Sequence, residues 1–256
     1  MGNGSSKSSS HSRIISLKSG PSSSVMRKHL ENAQKSRILQ LKSCGLKTFP
    51  EQLIQVNEIL RNLDISSNRI CDLPSFIGSF SSLKQLHLAE NQLKEIPDEI
   101  GMLKKLEVIN LAKNRISALP ESFVGLISLK SLDISSNKFT SLPVVVCHLN
   151  SLDDLNASSN FIENLPDEMK YIKVSDLNLN QNRLNSLKNI EKCEQLKILR
   201  IEENCLSTEA FTREFLENSK VSLIAFGGNL FQEKDFQELS GYEEYQKRFT
   251  AAKIKM

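Results

Sequence analysis

The sequence of 256 residues predicts an α/β solenoid, a stack of repeats closed at each end by a helix. Three observations carry this reading. Asparagines recur as Asn68, Asn91, Asn114, Asn137 and Asn160, four successive gaps of 23 residues, and the series continues at Asn182, Asn204 and Asn229. Around them the same aliphatic frame returns, as in LRNLDISSNRICDLP, LKQLHLAENQLKEIP, LEVINLAKNRISALP, LKSLDISSNKFTSLP and LDDLNASSNFIENLP. Six of the seven prolines, Pro50, Pro74, Pro97, Pro120, Pro143 and Pro166, fall at one phase of that frame. Upstream, LQLKSCGLKTFP fits with Cys44 in the asparagine slot, which makes about nine units.

The pattern LxxLxLxxN/CxL resembles that of the leucine-rich-repeat superfamily. The resemblance implies a curved horseshoe with one parallel sheet on the concave face and short helices or turns on the convex face. Side-chain chemistry agrees. Leu83, Leu86, Leu88, Leu93 and Ile96 would point inward and stack on Leu106, Ile109, Leu111, Ile116 and Leu119 of the next unit, an area no single unit buries alone. The asparagines are expected to satisfy backbone groups where the chain leaves each strand, a structural role and not a catalytic one. Proline fixes φ and donates no hydrogen bond, so it marks the exit from the strand side. DEIGMLKKL and ESFVGLISL then carry short helical turns. Two departures, Ala157 in a leucine slot and Lys188 in a proline slot, leave the period intact.

A solenoid needs covered ends. In SVMRKHLENAQKS, residues 24–36, Met26, Leu30 and Ala33 share one helical face, which predicts an N-terminal capping helix. The repeats occupy 37–231. Residues 232–256 form a C-terminal helical cap, in which Phe236, Leu239, Tyr242, Tyr245 and Phe249 make an apolar stripe. Lys247, Arg248, Lys253 and Lys255 follow and read as a solvated basic end.

Composition narrows the function. Hydrophobic residues make up 39% and charged residues 25%, and no apolar run approaches the roughly 18 residues of a spanning helix. The five cysteines are odd in number and unclustered, which suits reduced thiols in the cytosol or nucleus. The four histidines show no ligand spacing, so neither a metal nor a cofactor is expected. Phosphate-cradling glycine loops and the nucleophile elbow are missing, and repeats with caps fill the chain from Ser24 onward. The chain therefore reads as a non-enzyme. With 33 basic against 30 acidic residues it lacks the charge of a nucleic-acid binder. A monomer that takes no small-molecule substrate is the expectation.

The candidate binding surface is the concave sheet. The residue between the second and third leucine projects outward from each strand. That column runs Gln40, Asp64, His87, Asn110, Asp133, Asn156, Asn178, Arg200 and Ala225, with Asp154 and Asp176 on a neighbouring column. It is polar and mildly acidic, and Asp64, His87, Asn110, Asp133, Asn156, Asn178 and Arg200 are the expected contacts to a basic or mixed-charge protein partner. LP and IG turns in these repeats are similar to those of Ras-associated leucine-rich-repeat proteins. That resemblance implies an alternative, a soluble regulator of a small GTPase or phosphatase.

Residues 1–23 are serine-rich, with eleven serines among the first 24 residues. MGNGSS satisfies the pattern in which Gly2 accepts myristate after removal of Met1. One such chain binds membranes only marginally, about 10⁴ M⁻¹, so a second signal is needed. Lys7, Arg13 and Lys18 precede the first acid and supply attraction to an anionic leaflet. The expected localisation is cytoplasmic and peripheral to a membrane. Three stretches, the MGN start, AQKSRILQLKSCGL and the pair LKILRIEENCL with GYEEYQKRFTAAK, resemble the leucine-rich repeat-containing protein 57 family. In that family the implied lipid acceptor is the glycine matched by Gly2. Extra serine-rich sequence between MGN and the capping helix sets this chain apart.

Overall fold

The computed structural model describes residues 20–254; Gly2, Lys7, Arg13 and Lys18 lie outside the described residues. Nine strands of three residues each form one open parallel sheet in sequence order: β1 Ile38–Gln40, β2 Asn62–Asp64, β3 Gln85–His87, β4 Val108–Asn110, β5 Ser131–Asp133, β6 Asp154–Asn156, β7 Asp176–Asn178, β8 Ile198–Arg200 and β9 Leu223–Ala225. Each pairs residue for residue with the next, so Leu63 meets Leu86, which meets Ile109, which meets Leu132. Their alternation is in–out, and the middle residue of every strand is buried.

Two residues beyond the strand centre a second apolar side chain turns inward, as Ile65, Leu88, Leu111, Ile134 and Ala157 do. The chain then reverses through a left-handed residue immediately before each asparagine. Ser67, Glu90, Lys113, Ser136 and Ser159 have φ of 55°, 58°, 55°, 55° and 56°. Non-glycine residues adopt this conformation at a cost of roughly 1–2 kcal/mol, so something in the turn must offset it.

The asparagine side chain does so. Asn137 Oδ1 accepts from the N–H of Ile116 at 3.0 Å, and its Nδ2 donates to Leu111 O at 3.0 Å, Ile134 O at 3.1 Å and Ser135 O at 3.1 Å. One buried amide thus satisfies its own turn and ties it to the preceding repeat. Asn68, Asn91, Asn114, Asn160, Asn182, Asn204 and Asn229 repeat the arrangement.

Opposite the sheet run short 3-10 helices, each opened by proline in the repeats where proline is present; Pro97 and Pro120 precede Asp98–Met102 and Glu121–Gly125. These helices nearly touch. A Cβ on Gly101 would lie 2.2 Å from Ser122 O, and one on Gly125 2.4 Å from Gly101 O. Glycine is required there because backbone meets backbone.

Both caps are helical. Helix α1, Ser23–Ser36, buries Met26, Leu30 and Ala33, and Arg37 ends it with φ of 63°. The C-terminal end carries α2, Arg213–Asn218, α3, Glu233–Gln237, and α4, Tyr242–Lys253. Phe236 and Tyr245 are buried, and the Tyr245 hydroxyl accepts from the N–H of Ile224 on the last strand at 3.2 Å. Arg248 departs from the solvated basic end that the sequence suggests. Its guanidinium donates to the carbonyls of Leu216, Glu217 and Val221 at 2.6, 3.2 and 3.1 Å. Carbonyls at the end of a helix have no partner within it, and Arg248 supplies one for α2.

Replacing Asn137 with alanine should destabilise the protein by about 3 kcal/mol, because it strands one buried N–H and several carbonyls at once. The fall in the midpoint of thermal or urea unfolding measures this. An unchanged midpoint contradicts the role given to the amide.

Candidate functional site

The outward faces of the strands carry two columns. The first residues of the strands run Ile38, Asn62, Gln85, Val108, Ser131, Asp154, Asp176, Ile198 and Leu223; the third residues form the column singled out from the sequence. A shallow hollow of about 380 Å³ lies across the centre of this face. His87, Asn110, Asp133, Asn156, Asn178 and Arg200 all line it, together with Ser131, Asp154 and Asp176, whereas Asp64 does not.

Five of the expected contact residues also hold the backbone. Asp64 Oδ1 accepts from the N–H and hydroxyl of Ser66 at 2.9 and 2.6 Å. Asn110 accepts from the N–H of Ala112 at 2.9 Å, and Asp133 from that of Ser135 at 2.9 Å. Asn156 accepts from Ser158 N–H at 3.1 Å and Asn178 from Asn180 N–H at 3.0 Å. Aspartate and asparagine bond the backbone two residues on in this way wherever a strand ends in a turn. The column is therefore rich in these residues for the turn's sake, and each keeps only its remaining polar atoms for a partner. A short acceptor two places before serine or alanine, as in DISS and NASS, is the sequence signal for this second role.

His87 and Arg200 stand outside the turn ladder. Arg200 Nη1 pairs with Asp176 Oδ1 across adjacent strands. That leaves Asp154, directly opposite Asp176 in the sheet register, with a single 3.1 Å hydrogen bond from the Ser131 hydroxyl. Three carboxylates, Asp133, Asp154 and Asp176, thus share the hollow with one guanidinium. Desolvation pushes the Asp154 carboxyl above the usual aspartate range; the Ser131 bond opposes this, Asp176 and Asp133 add to it as like charges, and Arg200 pulls back. An exposed electronegative patch of this kind attracts a cation brought by a partner.

The buried thiols offer no nucleophile. Burial pushes Cys147 up to about 12, with the Glu168 charge adding to it, and pushes Cys193 up to about 12, with Cys147 and Glu191 adding to it. Thiols of that basicity stay protonated near neutral pH. No helix among the described residues is long and apolar enough to cross a membrane.

A test of the Asp154 environment follows from proton linkage. Its folded pKa lies above the unfolded one, so the native state holds the proton more tightly. Stability then falls as pH rises from the ordinary value of 3.8 through the folded pKa. Asp154→Asn should therefore raise the melting temperature at neutral pH, and the gain should vanish below pH 3.8, where both states are protonated. Thermal melts of both proteins across pH measure it.

The repeats also match known proteins. Residues 58–162 match the family described as leucine rich repeat in three overlapping placements, 58–116, 81–139 and 104–162. Among solved structures, a leucine-rich-repeat protein of Leptospira interrogans is 28% identical with a TM-score of 0.69, over 81% of this chain and 58% of its own. An internalin of Listeria monocytogenes is 21% identical with a TM-score of 0.69, over 84% of this chain and 61% of its own. Internalin C2 of the same organism is 18% identical with a TM-score of 0.65, over 77% of this chain and 83% of its own. The chain thus spans about three fifths of the length of the first two. Parallel rungs, the asparagine turn and the matched stretch together identify the fold as a leucine-rich-repeat solenoid, the fold of proteins that generally act in protein–protein interaction.

Proposed function

We propose that this chain is a non-enzymatic scaffold that captures a protein partner on the open face of its sheet and is held at a membrane through an acylated Gly2. The observation that carries the capture reading is Asp154. It is an exposed carboxylate standing beside two others, and no cation of this chain forms an ion pair with it among the described residues. A partner that places a lysine or arginine over Asp154 relieves that repulsion, and the flanking asparagine amides and His87 offer directional contacts around the charge. Partner binding is accordingly expected to weaken in acid as Asp154 takes up its proton.

Recovery of bound proteins from cytosolic extract tests the surface. Asp154→Lys should reduce capture about ten-fold or more by reversing the central charge. Asp64→Asn keeps the turn-accepting oxygen, lies outside the hollow and should leave capture unchanged. Equal recovery by wild type and Asp154→Lys removes the reading.

The membrane reading is supported by the MGNGSS start, by Lys7, Arg13 and Lys18 behind it, and by the resemblance of three stretches to the leucine-rich repeat-containing protein 57 family. Gly2→Ala should move the protein from the membrane to the soluble fraction of disrupted cells. A wild-type protein already wholly soluble favours instead a freely diffusing regulatory module for a signalling enzyme.

A further inference from the structure

The sheet has a second exposed margin, where the chain enters each strand. The residue just before the strand repeats with the period. Arg61 N–H donates to Arg37 O at 2.9 Å, and Lys84 N–H donates to Arg61 O at 2.7 Å, so these three residues occupy successive rungs. Rungs of a sheet stand about 4.8 Å apart, which stacks three cationic side chains along one edge. The next rung of the row is the acid Glu107; Lys105, three residues before strand β4, joins the cations around a single cleft of about 340 Å³ that also contains Ile59, Ser82 and one acid, Glu58.

The charges in this cleft are not balanced. Lys84 is bound to Glu107 at 2.6 Å. The side chains of Arg37, Arg61 and Lys105 form no ion pair and no hydrogen bond among the described residues, and all three are exposed. Glu58 does not pair with any of them. Beyond Lys84 the row neutralises itself, since Glu107 sits between Lys84 and Lys130 and its carboxyl is held below the usual range by both. The cleft is the stretch of the margin where three unpaired cations converge on a single acid, Glu58, that binds none of them.

We infer that the cleft where the unpaired Arg37, Arg61 and Lys105 converge is a binding site for a multiply charged phosphate ester. Two guanidinium groups supply forked donors that match phosphate oxygens, and the unpaired Lys105 ammonium adds point charge, while Lys84 lines the cleft with its ammonium held by Glu107. A ligand with several phosphates reaches more than one rung, which a single carboxylate does not. The site is separate from the acidic hollow on the sheet face and does not depend on acylation of Gly2. The same phosphate chemistry is presented by a phosphoinositide headgroup and by a soluble inositol phosphate.

The test uses full-length protein carrying Gly2→Ala, so that no acyl chain contributes. It is titrated with inositol hexakisphosphate and, separately, sedimented with phosphatidylcholine vesicles with and without phosphatidylinositol bisphosphate. Binding to at least one form is expected, and Arg37→Asn with Arg61→Gln and Lys105→Gln should weaken it about ten-fold or more, since each cation near an anionic surface contributes separately. Asparagine suits the positive φ at position 37. Lys47→Gln, Lys94→Gln and Arg115→Gln together remove equal charge from the loops that leave the strands and should change nothing. Should the first triple variant melt early, Lys105→Gln alone still gives a partial loss. Binding to vesicles alone assigns the phosphate to a lipid; binding to the inositol phosphate alone assigns it to a soluble ligand. No binding of either form, an equal loss in both triple variants, or competition by polyglutamate as strong as by inositol phosphate overturns the inference.

Discussion

The buried asparagine amide is the constraint on which the rest of the solenoid depends. A three-residue strand cannot satisfy its own turn, and the residue before the asparagine stands in a left-handed conformation that L-residues avoid. Each amide accepts from the backbone of the previous repeat, Asn160 from two N–H groups, and donates to carbonyls of two repeats. Local strain and stacking are thereby solved by the same side chain, and neighbouring repeats become interdependent, as in a one-dimensional array. The first repeat shows the logic by exception. Cys44 stands in its asparagine slot, where no earlier strand exists to be tied, and Asn68 of the second repeat satisfies Leu46. Helix α1 covers that end instead.

Fixing the turns in this way leaves the outward side chains free to differ, and the three exposed regions differ in charge. The third residues of the strands are largely committed to their own turns. The first residues are not, and there Asp154 and Asp176 stand opposite each other with Asp133 close by. This arrangement opposes stability, since an ionised carboxylate beside like charges is repelled by them. Perturbed groups of that kind concentrate at functional sites, where a partner relieves them. The margin before the first strands holds the opposite imbalance, three unpaired cations beside the single acid Glu58. One repeat period thus presents an acidic face and a basic edge.

The C-terminal end needs a different device from the N-terminal one. Strand β9 has no successor, and an unpaired strand edge invites association with other chains. The Tyr245 hydroxyl takes the outward N–H of Ile224, and Phe236 packs edge-on to both Tyr242 and Tyr245 beside it. Arg248 completes the cap through three carbonyls. Its long apolar stem and forked head suit a position between helix end and solvent.

The sequence by itself determined the repeat, its register and both ends, because a period of about 23 residues dictates which side chains stack. Leu83 and Leu106, or Asn114 and Asn137, are related by counting alone. What the period does not state is how one side chain divides its polar atoms. Asp133 reads as an exposed contact residue, yet one of its oxygens is spent on Ser135. Arg248 reads as solvated, yet it binds carbonyls some thirty residues earlier in the chain. The pairing of Asp154 with Asp176, and the meeting of Arg37, Arg61 and Lys105, likewise arise only when separate repeats are stacked. Apolar burial is additive and follows the pattern of the chain, whereas hydrogen bonds and charges depend on the few ångströms between particular atoms, and only the tertiary structure sets those distances.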